Sequence, residues 1–208
     1  MVTSQSEKKE AVLEKFRVES ITEGALRAIA RKGGAATMQD IADESGIAKG
    51  TLYLYFKDRD ELLQRVSHAG LTQLLQRIEE VFDRKLPFDE TIRALILTKL
   101  RFFDERRDLY RVHFEIQFSP SSDPDCKIPS KRTPPPEKQA YVDRITRYFR
   151  EEMEDAEDAP KLARYFAETL MSLLFKRIPE TNGSKLESDA EFLSDMMLNG
   201  FSGKRKKS

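Results

Sequence analysis

The sequence predicts an all-α protein: an N-terminal helix-turn-helix head over residues 1–57, carried on a larger helical body over residues 58–208. Three observations point there. Apolar residues recur at helical spacing along nearly the whole chain, and no segment shows a convincing two-residue alternation, so no sheet is expected. The residues that interrupt this periodicity, Gly46, Pro87, Pro179 and the proline-rich stretch 119–138, lie between the runs rather than inside them. Finally, TMQDIADESGIAKGTLYLYF, residues 37–56, has the length and patterning of two short helices joined by a tight turn.

Taken in chain order, Ile21, Ala25, Ala28 and Ile29 form the apolar stripe of a first helix. Ile41 and the small Ala42 share one face of a short second helix, small enough for another helix to cross close above. Gly46 supplies the backbone freedom of the turn that follows. In the third helix Ile47, Leu52 and Phe56 return to the core, which leaves Lys49, Gly50, Thr51, Tyr53 and Tyr55 outward. Small, polar, aromatic and basic groups on a short exposed helix suit the major groove, where base edges and flanking phosphates seek donors. KDRDELL then opens a long fourth helix, with Asp58 as N-cap and acids in the first turn.

The string ITEGALRAIARKGGAATMQDIADESGIAKGTLYLYFKDRDELL closely resembles the N-terminal domain of the TetR family of transcriptional regulators, and GTLYLYFKDRDELL is its most specific part. The resemblance covers roughly the first third of the chain. It implies that Lys49, Gly50, Thr51 and Tyr53 approach bases or backbone of a double-stranded DNA operator, and that Thr37, Tyr55 and Lys57 contact phosphates. Two positions depart from the family pattern. Gly34 stands where an aromatic residue usually follows Gly33, and Ala48 where Ser or Thr usually caps the recognition helix. A lost N-cap hydroxyl typically costs about 1 kcal/mol.

In the body, Leu71, Leu74, Leu75, Ile78 and Phe82 continue the fourth helix, which ends before Pro87. Ile92, Leu95, Ile96, Leu100 and Phe103 mark a fifth helix and Leu109 to Phe118 a sixth. Residues 119–138 hold most of the chain's nine prolines and read as a loop. Helical pattern resumes with Tyr141, Ile145, Tyr148 and Phe149, and two final helices run from about Pro160 to Ile178 and from about Glu187 to Phe201. The helix 162–178 is apolar around much of its circumference and needs cover on more than one face. The family dimerises through its last two helices. The resemblance therefore implies a homodimer face from Leu162, Phe166, Leu170 and Leu173 with Phe192, Leu193, Met196, Met197 and Gly200.

The family also carries a ligand cavity in its body. The aromatic density there gives candidates for a pocket that takes a small apolar or aromatic ligand: Phe102, Phe103, Tyr110, His113, Phe114, Gln117, Tyr141, Ile145, Phe149, Met171 and Phe175. A packed aromatic core explains the same spacing.

Composition narrows the function. Thirty-six Lys and Arg offset 36 Asp and Glu, and the first 66 residues carry 11 of each sign, so attraction to phosphate must be local. His113, Glu115 and Cys126 lack metal-ligand spacing, and there is no Gly-rich phosphate loop or nucleophile elbow, so neither an enzyme, a metal nor a cofactor is expected. A single Cys excludes an intramolecular disulfide framework, and with no apolar leader or membrane-length stretch in view a cytoplasmic protein with no membrane partner is expected. The GKRKKS ending reads as a solvated terminus. The expected function is a ligand-released, operator-binding dimer of the repressor type. The alternative is a helical protein-interaction adaptor that no longer reads DNA.

Overall fold

The computed structural model describes residues 5–118, 136–153, 157–177 and 186–199, and every regular element among them is helical. The helices are α1 (Gln5–Lys32), α2 (Met38–Ser45), α3 (Lys49–Tyr55), α4 (Arg59–Asp83), α5 (Phe88–Glu105), α6 (Arg107–Phe118), α7 (Pro136–Glu152), α8 (Ala159–Arg177) and α9 (Leu186–Asn199), with a 3-10 turn at Gly33–Ala35. The expected all-α class is therefore observed. One boundary differs from expectation: α7 begins at Pro136, inside the stretch read as loop. Proline suits a first helical turn, where its missing N–H is no loss, so the last of the three consecutive prolines starts the helix. Ile178, Gly200, Phe201, Cys126 and the basic ending lie outside the described residues.

The chain forms two compact units. The first contains α1–α3, α4 as far as Gly70, and α6; the second contains α4 from Leu71, α5 and α7–α9.

In the first unit, α1 buries Ile21, Ala25, Ala28 and Ile29, the stripe read from the sequence. Its crossing with α2 is very close. A Cβ built on Gly24 would lie 2.8 Å from the backbone N and 2.9 Å from the Cα of Ser45. The 3-10 turn that follows begins at Gly33, with φ of 58°, and Arg59 secures it by donating from Nε to the Ala36 carbonyl (2.6 Å) and from Nη2 to the Gly34 carbonyl (3.1 Å). Thr37 then opens α2 with a reciprocal capping box. The Asp40 N–H donates to Thr37 Oγ1 (3.2 Å), while the Thr37 N–H donates to Asp40 Oδ2 (2.9 Å). Gly46, at φ 66°, closes α2 in the left-handed region. The core of this unit is completed by Leu52, Phe56, Leu62, Leu63 and Val66, and by Leu109 and Val112 of α6. Gly70 lets α6 approach α4, since a Cβ there would fall 2.2 Å from a Leu109 methyl.

The second unit is an aliphatic and aromatic core. Leu74, Ile78 and Val81 of α4 and Leu95, Ile96, Leu100, Phe102 and Phe103 of α5 are buried, as are Ile145 and Phe149 of α7, Phe166 and Leu170 of α8, and Leu193 of α9. Phe88 stacks on Tyr148 at 6.0 Å, and Phe149 meets Phe166 edge-on at 6.0 Å. Arg93 donates to Asp195 (2.6 Å) and Arg101 to Glu187 (2.9 Å), which ties α9 to α5 along its outer side.

Two predictions follow from the α1–α2 junction. Gly24→Ala should lower stability by about 1–2 kcal/mol in urea denaturation, although alanine favours a helix by about 1 kcal/mol, because overpacking against backbone outweighs the propensity gain. An unchanged midpoint would mean the two helices separate freely. Asp40 is held down to about 2 by the hydrogen bond from Lys32, then by those from the Thr37 backbone and hydroxyl. Its folded value lies below the unfolded one, so its contribution is present above the unfolded carboxyl range and lost as pH falls from about 4 to 2. Asp40→Asn should therefore show a shallower loss of thermal midpoint across that window than the wild type.

Candidate nucleic-acid interface

α3 presents the surface that the sequence pattern singles out. Leu52 is fully buried and Phe56 nearly so, which roots the helix in the first unit, while Ile47 is half-buried at the turn. Lys49, Gly50, Tyr53 and Leu54 share one exposed face, whereas Thr51 and Tyr55 are half-buried at its sides. Leu54, 81% exposed, was not anticipated as part of this face; its position four residues after Gly50 is the signal that places it there. Gly50 has an ordinary helical backbone, and a Cβ added to it would meet nothing within 4 Å. The fold itself therefore gives no steric reason for glycine there.

Ala48 stands at the N-cap with an extended backbone and no side-chain cap bond, as its methyl requires. The first amides of α3 are left without a side-chain acceptor. Asp58, by contrast, caps α4 as expected, its Oδ1 accepting from the Glu61 N–H (2.8 Å). Glu61 in turn accepts from the Lys57 N–H (2.8 Å), which fixes the backbone between α3 and α4.

Charge around α3 is sorted by pairing. On α2, Glu44 binds Arg31 and takes a second contact from Arg27 Nε (3.6 Å), while Asp40 takes Lys32 (2.5 Å). These acids neutralise the basic end of α1. Lys49 and Lys57 are exposed and, among the described residues, form no ion pair. Arg17 donates to the Tyr55 hydroxyl (3.3 Å), so a third cation from α1 stands beside the rim of α3. The Thr37 hydroxyl is engaged within the protein, donating to Asp40 Oδ2 (2.8 Å) while it caps α2. What the arrangement offers is a short helix with two free ammonium groups, a phenol and a bare backbone patch.

The residues proposed for a ligand pocket divide between the two units. Tyr110, His113 and Phe114 belong to the first, where Tyr110 stacks on Phe114 (6.4 Å) and His113 Nδ1 shares a hydrogen bond with Ser67 Oγ (3.2 Å). Phe102, Phe103, Tyr141, Ile145 and Phe149 are buried in the second, and Met171 is half-buried there. The side chains of Gln117 and Phe175 lie outside the described residues. Sequence reasoning passed over Lys99, which is buried in the second unit with its ammonium 4.4 Å above the Tyr141 ring. A lysine at apolar spacing, seven residues after Ile92 within ILTKLRFF, is the signal that marks it.

Of the nine residues expected at a dimer face, Phe166, Leu170 and Leu193 are buried within the chain itself. Leu173, Met196 and Met197 are half-buried, Leu162 and Phe192 are exposed, and Gly200 lies outside the described residues. Tyr165, not expected there, is exposed beside Leu162 on α8.

Comparison with known proteins agrees with this geometry. Residues 21–66 match the family model for bacterial regulatory proteins of the tetR family. The chain is 37% identical over 78 residues to an uncharacterized HTH-type transcriptional regulator of Haemophilus influenzae, covering 37% of this chain and 42% of that protein. It is 32% identical over 80 residues to a fatty acid metabolism regulator protein of Bacillus subtilis, covering 38% and 41%. The chain thus spans less than half the length of the curated relatives it matches. Among solved structures it resembles FadR of Bacillus subtilis in complex with stearoyl-CoA, with a TM-score of 0.74 at 18% identity over 88% of this chain and 98% of that one. FadR of Bacillus halodurans gives a TM-score of 0.71 at 14% identity over 89% and 96%. Residues 21–66 thus carry the sequence signature of the tetR family from α1 into α4, and the chain shares its fold with these solved regulators over most of its length.

Proposed function

We propose that this protein is a repressor that binds a palindromic operator as a homodimer in the cytoplasm and leaves it when a small, largely apolar or aromatic ligand enters the body. The domain division that goes with this is a reading head over residues 1–57 and a ligand-binding and dimerisation body over 58–208. The exposed face of α3 carries the reading. Lys49, Gly50 and Tyr53 stand together on it, and Gly50 gives up helix propensity at a position where the protein itself would accept a side chain. Close approach of an outside surface accounts for that glycine. A DNA backbone or base edge in the major groove is such a surface.

On this reading Tyr53 and Thr51 address base edges with Lys49 at the start of the helix, and Lys57 and Tyr55 meet phosphates. Thr37 holds the first turn of α2 in place through Asp40 and would meet a phosphate from that capped turn. Leu162, Tyr165 and Phe192, apolar bodies left exposed on α8 and α9, are the part of the dimer face that a partner would cover, together with Leu173, Met196 and Met197. A switch needs a ligand that prefers the body shape incompatible with operator binding. The complex of the Bacillus subtilis relative with stearoyl-CoA makes long-chain acyl thioesters the first compounds to try.

Operator fragments selected from a random pool, followed by gel shift across a salt series, test the central claim. Gly50→Ala should leave the fold as stable as wild type or up to about 1 kcal/mol more so, since alanine is the better helix former, while weakening operator binding. Tyr53→Ala should cost about 1–3 kcal/mol of specific binding, and Lys57→Ala should weaken all sequences alike and flatten the salt slope. Wild-type binding by all three variants would refute the assignment. For the dimer, Phe192→Glu should yield monomers in sedimentation with weakened operator binding, and a wild type that sediments as a monomer at micromolar concentration would overturn that part.

A further inference from the structure

Lys99 is an anomaly in the second unit. It is 4% exposed, on the face of α5 that otherwise carries Ile92, Leu95, Ile96 and Leu100. An ammonium has three protons to place, and a buried charge ordinarily has a carboxylate beside it. Lys99 has neither condition met. Its Nζ donates one long hydrogen bond to the Ala167 carbonyl of α8 (3.4 Å) and otherwise rests 4.4 Å above the Tyr141 ring of α7. Among the described residues no acid pairs with it. The charge that acts on it is that of Lys138, of the same sign.

Tyr141 repeats the anomaly. The residue is 6% exposed, and its hydroxyl is buried with no hydrogen-bond partner. Leaving a buried hydroxyl unpaired costs about 1–3 kcal/mol. Two donors short of acceptors thus stand on one ring-and-ammonium pair in the buried interior of the unit, one turn from the buried Glu137 on α7, and a further acceptor is what both can take. A carboxylate would supply it, accepting from the ammonium and the phenol at once.

We infer that Lys99 and Tyr141 form the anchor for the anionic end of an amphiphilic ligand, a carboxylate borne on an apolar chain, within the second unit. The inference rests on the ligand-responsive reading proposed above and adds to it the ligand's chemical class. It also accounts for a lysine at a buried position where a methionine would pack. Burial, and then Lys138, lower the free amine to about 7, so without ligand Lys99 is charged only part of the time near neutrality. A bound carboxylate favours the ammonium and raises that value, so binding draws in a proton.

The test compares decanoate with decanol, which share a chain and differ in the charged end, on the full-length protein by titration calorimetry. Wild type should bind decanoate about ten-fold or more tightly than decanol, as expected for a charge-assisted hydrogen bond. Lys99→Met, of similar length and apolar, should bind both within about two-fold of each other while folding normally and shifting operator DNA without ligand as wild type does. Tyr141→Phe, which keeps the ring and removes only the hydroxyl, should lose part of the preference and serves if the Lys99 variant fails to fold. Calorimetry in two buffers of different ionisation heat at neutral pH should show uptake of a fraction of a proton with decanoate and none with decanol. Equal affinities for the two compounds in wild type, an undiminished preference in both variants, or no binding of either compound would each overturn the anchor. The operator shift of the ligand-free variants reports separately on the DNA-binding reading.

Discussion

How closely α1 can approach the end of α2 governs the geometry of the reading surface. At Gly24 the backbone of Ser45 occupies the space where any other residue would begin its side chain. Ser45 is the last residue of α2, and one residue later Gly46 turns the chain in the left-handed region toward α3. The turn that orients α3 thus begins one residue from this close contact. Leu52 and Phe56 then lock it from below, and Arg59 draws the Gly33–Ala35 turn against the start of α4 by its two carbonyl contacts. Gly34, which lacks the aromatic ring usual in the family, is held by that arginine instead of by packing.

The same region resolves the puzzle of a nucleic-acid head with no net charge. A balanced composition does not mean a balanced surface. Glu44 and Asp40 pair with α1 and neutralise Arg27, Arg31 and Lys32 there. Lys49 and Lys57 are left with their charge intact at the two ends of α3. The acids of α2 therefore serve cohesion, and the cations flanking α3 are left available to an anionic partner. Screening by salt weakens the second role more than the first, because the paired groups already sit in contact.

Much of this was legible in the sequence, and the limits of that reading are physical. Helical period and glycine placement were enough for α1 through α4, because Ile21, Ala25, Ile41, Leu52 and Phe56 each repeat at helix spacing and each turns out buried. The same arithmetic placed Lys49, Gly50 and Tyr53 outward, but it missed the exposed Leu54 and did not foresee that Thr51 and Tyr55 are half-buried. Gly24 was not legible, since a glycine inside a helical run looks the same whether it meets solvent or a neighbouring backbone. Nor could period alone divide the apolar surface of α8 and α9 into a core side and an outer side. Phe166, Leu170 and Leu193 face inward and Leu162 and Phe192 outward, although all five satisfy the same stripe. The start of α7 was hidden because three consecutive prolines read as a loop until the third is seen to begin a helix.

The missing cap on α3 has a consequence for how the head moves. Seven residues are too few for a helix to persist alone in water, and Ala48 adds no side-chain bond at its start. The order of α3 is therefore borrowed from Leu52, Phe56 and the core beneath them, so its amides should exchange with solvent through the opening of that core rather than by fraying of their own. Reading surface and core then form one cooperative element. A slight loosening anywhere in the α1–α2 crossing would reach the exposed residues of α3 before it registered as an unfolded protein.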